Sequence, residues 1–144
     1  MDNSVSQDYF QDLARVRIER AEELIQTAEN ELEREDYRSA NNRAFYAMEK
    51  AVNALLATKG ASANTHSGVL KTFNRYFIYE GDGSFDHDDY RMIQEAETIR
   101  QASDYDDFYI VKKEDCIRQV ENAKEIVKKV RLFLSKKNDW NNID

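Results

Sequence analysis

The chain has no proline and only four glycines, all between Gly60 and Gly83. Outside that interval nothing punctuates it as the turns between strands would, which excludes a turn-rich β-architecture and predicts an all-α fold, an up-and-down bundle of four to five helices. The single cysteine, Cys116, excludes an internal disulfide, and with Glu114 and Asp115 beside it a thiolate is disfavoured, so it reads as a structural thiol. Two histidines, His66 and His87, and one cysteine are too few for the zinc patterns built from Cys and His pairs, so neither a metal site nor a cofactor is predicted. No apolar run approaches the ~18 residues of a membrane span, and the opening residues MDNSVSQDYF lack the basic and apolar regions of a signal peptide. The expectation is a cytoplasmic protein without membrane contact.

What is present is charge and helical periodicity. The net charge of −7 argues against a protein that grips nucleic acid with its whole surface. The charge is uneven: residues 112 to 137 hold nine Lys/Arg against four Asp/Glu, whereas residues 1 to 111 hold twelve against twenty-two. Such polarity either steers an acidic partner to the last helix or marks that helix's solvated face.

At 144 residues the chain fits one domain, with a core over about residues 8 to 137 and a polar tail over 138 to 144 in which Trp140 packs back. From Asp8 to Glu35, Leu13, Val16, Leu24, Ile25, Ala28 and Leu32 recur at helical spacing. Asp36 then caps a central helix running to Gly60, along which Ala40, Ala44, Ala47, Ala51 and Ala54 form a small-residue ridge beside Phe45, Met48, Val52, Leu55 and Leu56. Thr65 or Asn64 caps a third helix through Phe77, and the acidic loop EGDGSFDHDD, which lacks the spacing of a calcium-binding loop, separates it from a fourth helix over about 86 to 103. The run Phe108 to Val111 has strand-like composition but no partner strand, and reads as an extended linker. A fifth helix over about 113 to 136 carries the stripe Ile117, Val120, Val127, Val130 and Leu134, with Glu114 to Arg118 and Glu125 to Lys129 as i, i+4 pairs.

No phosphate loop or nucleophile motif is present. Arg43 and Lys50, seven positions apart, lie about 10 Å from one another on nearly one helix face. They read either as surface cations whose stems cover apolar neighbours or as a clamp on a phosphodiester. Arg100 and Asp104 are spaced as a structural ion pair, Tyr105 follows them, and His66 falls in a helix-capping turn. Tyr37, Phe45, Tyr46, Tyr76, Phe77 and Tyr105 read as core aromatics before they read as base-stacking platforms.

The stretches DYRSANNRAFYAMEKAVNALLATKG, THSGVLKTF and IRQASDYDDF, in that order and spacing, resemble successive signatures of the HEPN family, as found in its small stand-alone bacterial and archaeal members. The resemblance covers roughly residues 10 to 135 and implies a helical bundle that dimerises. Many members of that family are metal-independent RNases, including toxins neutralised by a nucleotidyltransferase-type antitoxin. Their chemistry joins an Arg to a His a little over one helical turn beyond it, across a dimer interface. Here Lys50 stands where similar central helices carry a His, Glu49 stands in place of a bulky aromatic, and no His follows Arg100. A lysine is normally cationic at neutral pH and therefore a poor general base. The resemblance thus implies a phosphate- or RNA-binding patch of Arg43, Lys50 and Arg100, supported by Tyr46, His66, Asp104 and Tyr105. The function it implies is a non-catalytic or weakly active, nucleotide- or RNA-associated homodimer that partners a nucleotidyltransferase-type protein. The alternative is a metal-independent RNase toxin of a toxin–antitoxin pair, with its catalytic residues unassigned.

Overall fold

The computed structural model of the protein describes residues 3–140, and within them the chain forms five α-helices and no strand. They are α1 (Asn3–Glu33), α2 (Tyr37–Thr58), α3 (His66–Phe73), α4 (His87–Tyr105) and α5 (Lys113–Lys137), and a π-helical turn, Asn74–Tyr79, continues α3. The fold is the all-α bundle that the absence of proline and the apolar periodicity predict.

α2 is the central element. Ala40, Ala44, Ala47, Ala51 and Ala54 are fully buried, and the small side chains let α1, α4 and α5 approach its backbone closely. α1 returns antiparallel to it, as Arg17 donating to the Asn53 carbonyl shows. α5 in turn runs antiparallel to α1, with Lys124 on Glu29 and Arg131 on Glu22. α5 is therefore parallel to α2, and the Cys116 thiol donates to the Tyr37 carbonyl at their shared end.

The ends of the helices follow from local chemistry. Asp36 accepts from the Ser39 amide and Thr65 from the Gly68 amide, while Asp86 and Asp89 exchange side-chain-to-backbone bonds in a capping box that opens α4. Gly60, at φ +63°, closes α2 in the left-handed conformation that glycine adopts without strain. At the far end of the bundle Phe73, Phe77, Phe85 and Phe133 form an aromatic cluster with centroid separations from 5.4 to 6.1 Å. Trp140 packs back as expected, with Arg15 and Arg131 over its ring at 5.0 and 5.6 Å.

Three expectations are corrected. Val16 is 63 % exposed, because it lies about 200° around α1 from the buried Ala14 and Ile18. Ile117 is likewise exposed, about 100° from the buried line of Cys116, Ala123 and Val130. The i, i+4 pairs of α5 give way to other partners: Arg118 binds Glu95 of α4 at 2.6 Å and Asp115 of its own helix at 3.2 Å, and Lys129 binds the buried Asp89 of α4 at 2.6 Å. Asp89 is already fixed by the capping box, so engaging it costs less side-chain entropy than engaging a mobile carboxylate.

Candidate functional site around Phe45

Phe45 is a buried member of α2, and the polar groups singled out in the sequence gather around its ring from three helices. The Thr65 cap makes His66 the first residue of α3, and there the imidazole lies edge-on to Phe45 at 5.2 Å and 6.4 Å from the Tyr46 ring. Its Nδ1 is hydrogen-bonded to a carboxylate oxygen of Glu49, one turn along α2 from Phe45. With Nδ1 engaged, Nε2 is the nitrogen left for a ligand or proton. His66 is half-buried, so it is held by its neighbours yet open to solvent.

From α4, the Arg100 guanidinium lies over the same ring at 5.3 Å. It is only 5 % exposed; Nε and Nη2 donate to Glu97, and Nη1 donates to Asp104 at 2.6 Å. The Glu97 hydrogen bond foremost, then the charges of Glu97, Asp104 and Tyr46, hold Arg100 above its ordinary range against the opposing effect of burial. Two carboxylates thus neutralise the guanidinium, and its role in the cluster is to bind Phe45 and the end of α4 together.

Arg43 and Lys50 occupy the adjoining edge of α2, on either side of Tyr46 at i, i+3 and i, i+4 spacing. Arg43 is exposed and Lys50 half-buried, and neither has a hydrogen bond or ion pair with any described residue. Tyr105 is exposed just beyond Asp104. The structure therefore joins His66, Tyr46, Arg100 and Asp104 around one ring, with Arg43 and Lys50 on the helix edge beside it. Glu49 and Glu97 are the two members that the sequence did not single out as partners. Glu97 precedes Arg100 by three residues, a spacing that could have revealed it; Glu49 and His66 are seventeen residues apart across a loop, and no periodicity connects them.

No group of three or more His, Cys, Asp or Glu side chains placed to hold a metal occurs among the described residues. No described helix is long and apolar enough to cross a membrane. Comparison with known proteins adds kinship to this geometry. Over 119 residues the chain is 35 % identical to a Methanocaldococcus jannaschii protein named as a candidate toxin, covering 83 % of this chain and 75 % of that one. It is 31 % identical over 123 residues to an Archaeoglobus fulgidus protein of the UPF0332 group, covering 84 % and 94 %. A Thermotoga maritima protein of the same group is 47 % identical over 62 residues, 43 % of this chain and 47 % of that one. The HEPN domain model matches residues 14–134, a span that contains the central α2 and every member of the cluster around Phe45, and the chain belongs to the HEPN domain family.

Proposed function

We propose that this chain is a toxin-type HEPN protein that acts on RNA without a metal, with His66 as its proton-transferring group. The observation that carries the reading is the Glu49 carboxylate on Nδ1 of His66, in a half-buried site beside the unpaired cations of α2. A carboxylate behind an imidazole fixes its orientation and tautomer, which is what a general base needs. In the reaction Nε2 of His66 takes the proton of an RNA 2′-hydroxyl. The 2′-oxygen attacks phosphorus, and the 5′-oxygen leaves with a proton from solvent to give a 2′,3′-cyclic phosphate. Arg43 and Lys50 hold the phosphodiester, Arg43 through its forked donors and Lys50 as a point charge.

A second reading is favoured by the guanidinium of Arg100, whose charge is already met by Glu97 and Asp104 and is not left for the developing phosphorane charge. Under it the same site holds nucleotide or RNA without cutting, and the chain acts as the partner of a nucleotidyltransferase-type protein. In both readings the assembly is a homodimer in the cytoplasm.

The deciding measurement is cleavage of fluorescently end-labelled RNA in chelator, alongside binding of the same RNA. Cleavage that falls at least a hundredfold in His66→Ala and at least tenfold in Glu49→Gln, with binding kept, supports the first reading. Salt-sensitive binding that is lost in Arg43→Ala, without cleavage by any form, supports the second. Absence of both binding and cleavage overturns the site altogether.

A further inference from the structure

Tyr46 is the member of the Phe45 cluster that the reaction above leaves without a part. It stands on α2 between Arg43 and Lys50, half-buried, with its ring edge-on to Phe45 at 5.3 Å and 6.4 Å from the ring of His66. We propose that Tyr46 is the general acid of the reaction, delivering its phenolic proton to the 5′-oxygen of the RNA as that oxygen leaves phosphorus. This rests on the reading of His66 as the base and supplies its counterpart, which solvent then reprotonates.

The hydroxyl of Tyr46 has no structural task. A tyrosine with a buried body normally turns its hydroxyl to a protein partner, and this one has none among the described residues. Packing does not require the oxygen either, since the preceding residue, Phe45, fills the core without one. Nor is it one of the sealed, unpartnered polar atoms of the interior, so a substrate can reach it.

Its position suits proton donation opposite His66. In-line displacement sets the attacking and leaving oxygens on opposite sides of phosphorus, so base and acid must reach one phosphoryl group from two directions without bonding to each other. The planes of the His66 and Tyr46 rings are inclined at 56°, no hydrogen bond joins them, and His66 is held from its far side by Glu49. Arg43, Tyr46 and Lys50 come from successive turns of one rigid helix, so the two cations that hold the phosphodiester carry the acid between them.

Nε2 of His66 takes the 2′-hydroxyl proton while the 2′-oxygen bonds to phosphorus. The P–O5′ bond breaks, its electron pair stays on O5′, and Oη of Tyr46 gives that oxygen its proton. The products are a 2′,3′-cyclic phosphate and a 5′-hydroxyl end, with an imidazolium and a phenolate that exchange with solvent. An alkoxide is far more basic than a phenolate, so the transfer runs downhill. The phenolate left behind is flanked by Arg43 and Lys50, and its charge reaches the Arg100 guanidinium as well.

The test uses the intact protein in chelator and two synthetic RNAs, one ordinary and one with sulfur in place of the bridging 5′-oxygen, because a thiolate leaves without needing a proton. Tyr46→Phe keeps the ring and removes only Oη. On ordinary RNA it is expected to lower kcat roughly fiftyfold or more with KM within about threefold. On the sulfur-bridged RNA the loss is expected to shrink to less than about threefold, while His66→Ala is expected to lose at least a hundredfold on both. A loss of equal size on the two RNAs makes the hydroxyl structural and overturns the proposal, as does full activity of Tyr46→Phe on ordinary RNA. Sulfur rescue of Lys50→Ala in place of Tyr46→Phe assigns the proton to the ammonium and overturns it equally. In each of those outcomes His66 stands and Tyr46 alone is removed, whereas a wild type that cuts neither RNA overturns the His66 reading and this one with it.

Discussion

Glu35 and Gly60 meet the same demand with different residues. Each ends a helix in the left-handed region at φ +63°, but only glycine is free of the clash between Cβ and the following carbonyl. Glu35→Gly is therefore expected to stabilise the fold by roughly 0.5–1 kcal/mol, the relieved strain being partly offset by the greater freedom of glycine in the unfolded chain. In thermal unfolding that is a rise of about 2–4 °C. Gly60→Ala is expected to move the other way by roughly 1 kcal/mol, since a Cβ is strained at φ +63°, while its 3.4 Å approach to the Phe10 ring is ordinary contact. Which residues cap helix starts was legible in advance: Asp36 and Thr65 are side chains that compete well for free amides. That Glu35 takes positive φ was not, because the tight three-residue turn between α1 and α2 imposes it and the residue's own preference does not. The pairing of Glu49 with His66 was hidden for a related reason. It is made by the way α3 packs on α2, and sequence spacing records contacts within an element far better than contacts between elements.

At the scale of helices the period of the apolar residues was enough to find all five, while the rotation of each had to come from packing. Val16 and Ile117 fit their stripes on paper and sit outside them in the bundle. The π-helical turn after Phe73 was equally invisible, since Phe73, Tyr76 and Phe77 satisfy an ordinary helical pattern. Packing also buries polar side chains within the apolar core. Asn41 on α2 and Gln119 on α5 lie about one turn inward from the contact of Cys116 with Tyr37, and Ser103, near the end of α4, accepts from Arg38 through its carbonyl. All three are 1 % exposed, and Asn41 Oδ1, Ser103 Oγ and both amide atoms of Gln119 lack a protein hydrogen-bond partner. A buried polar group costs roughly 1–3 kcal/mol when unpaired, whereas leucine of similar volume would contribute apolar burial. Gln119→Leu is accordingly expected to raise the urea midpoint, by an amount equivalent to roughly 1–2 kcal/mol, with an unchanged m-value. A fall in the midpoint would show that the amide is satisfied by internal water and that the buried polar groups hold the three helices in register.

For the molecule as a whole, stability against pH is set by groups at its two charge extremes. Asp86, which caps α4, is held below the ordinary carboxylate value chiefly by the Asp89 amide, and Asp82 likewise by Ser84. Their contribution is present above pH 3.8 and is lost as pH falls through their lowered folded values. On the alkaline side, burial foremost, with the charge of Asp36 added, pushes the Cys116 thiol from 9.0 up to about 11. Below pH 9.0 the thiol is neutral in both states and its full contribution is present. Between 9.0 and about 11 the unfolded chain ionises it while the folded chain does not, so stability drains away across that window. Two pH units correspond to roughly 2–3 kcal/mol at most. Lysines held by carboxylates, such as Lys124 on Glu29, also begin to lose their contribution as pH rises towards and beyond 10.5, so the wild-type slope alone cannot be credited to sulfur. Comparison with Cys116→Ala removes that ambiguity, because both proteins share every lysine. Measured by urea unfolding at neutral pH and again near the upper end of the thiol window, wild type is expected to lose roughly 2 kcal/mol more than the variant. Parallel losses in the two proteins would mean that the thiol titrates alike in both states, and that the alkaline limb belongs to the ion pairs of α5.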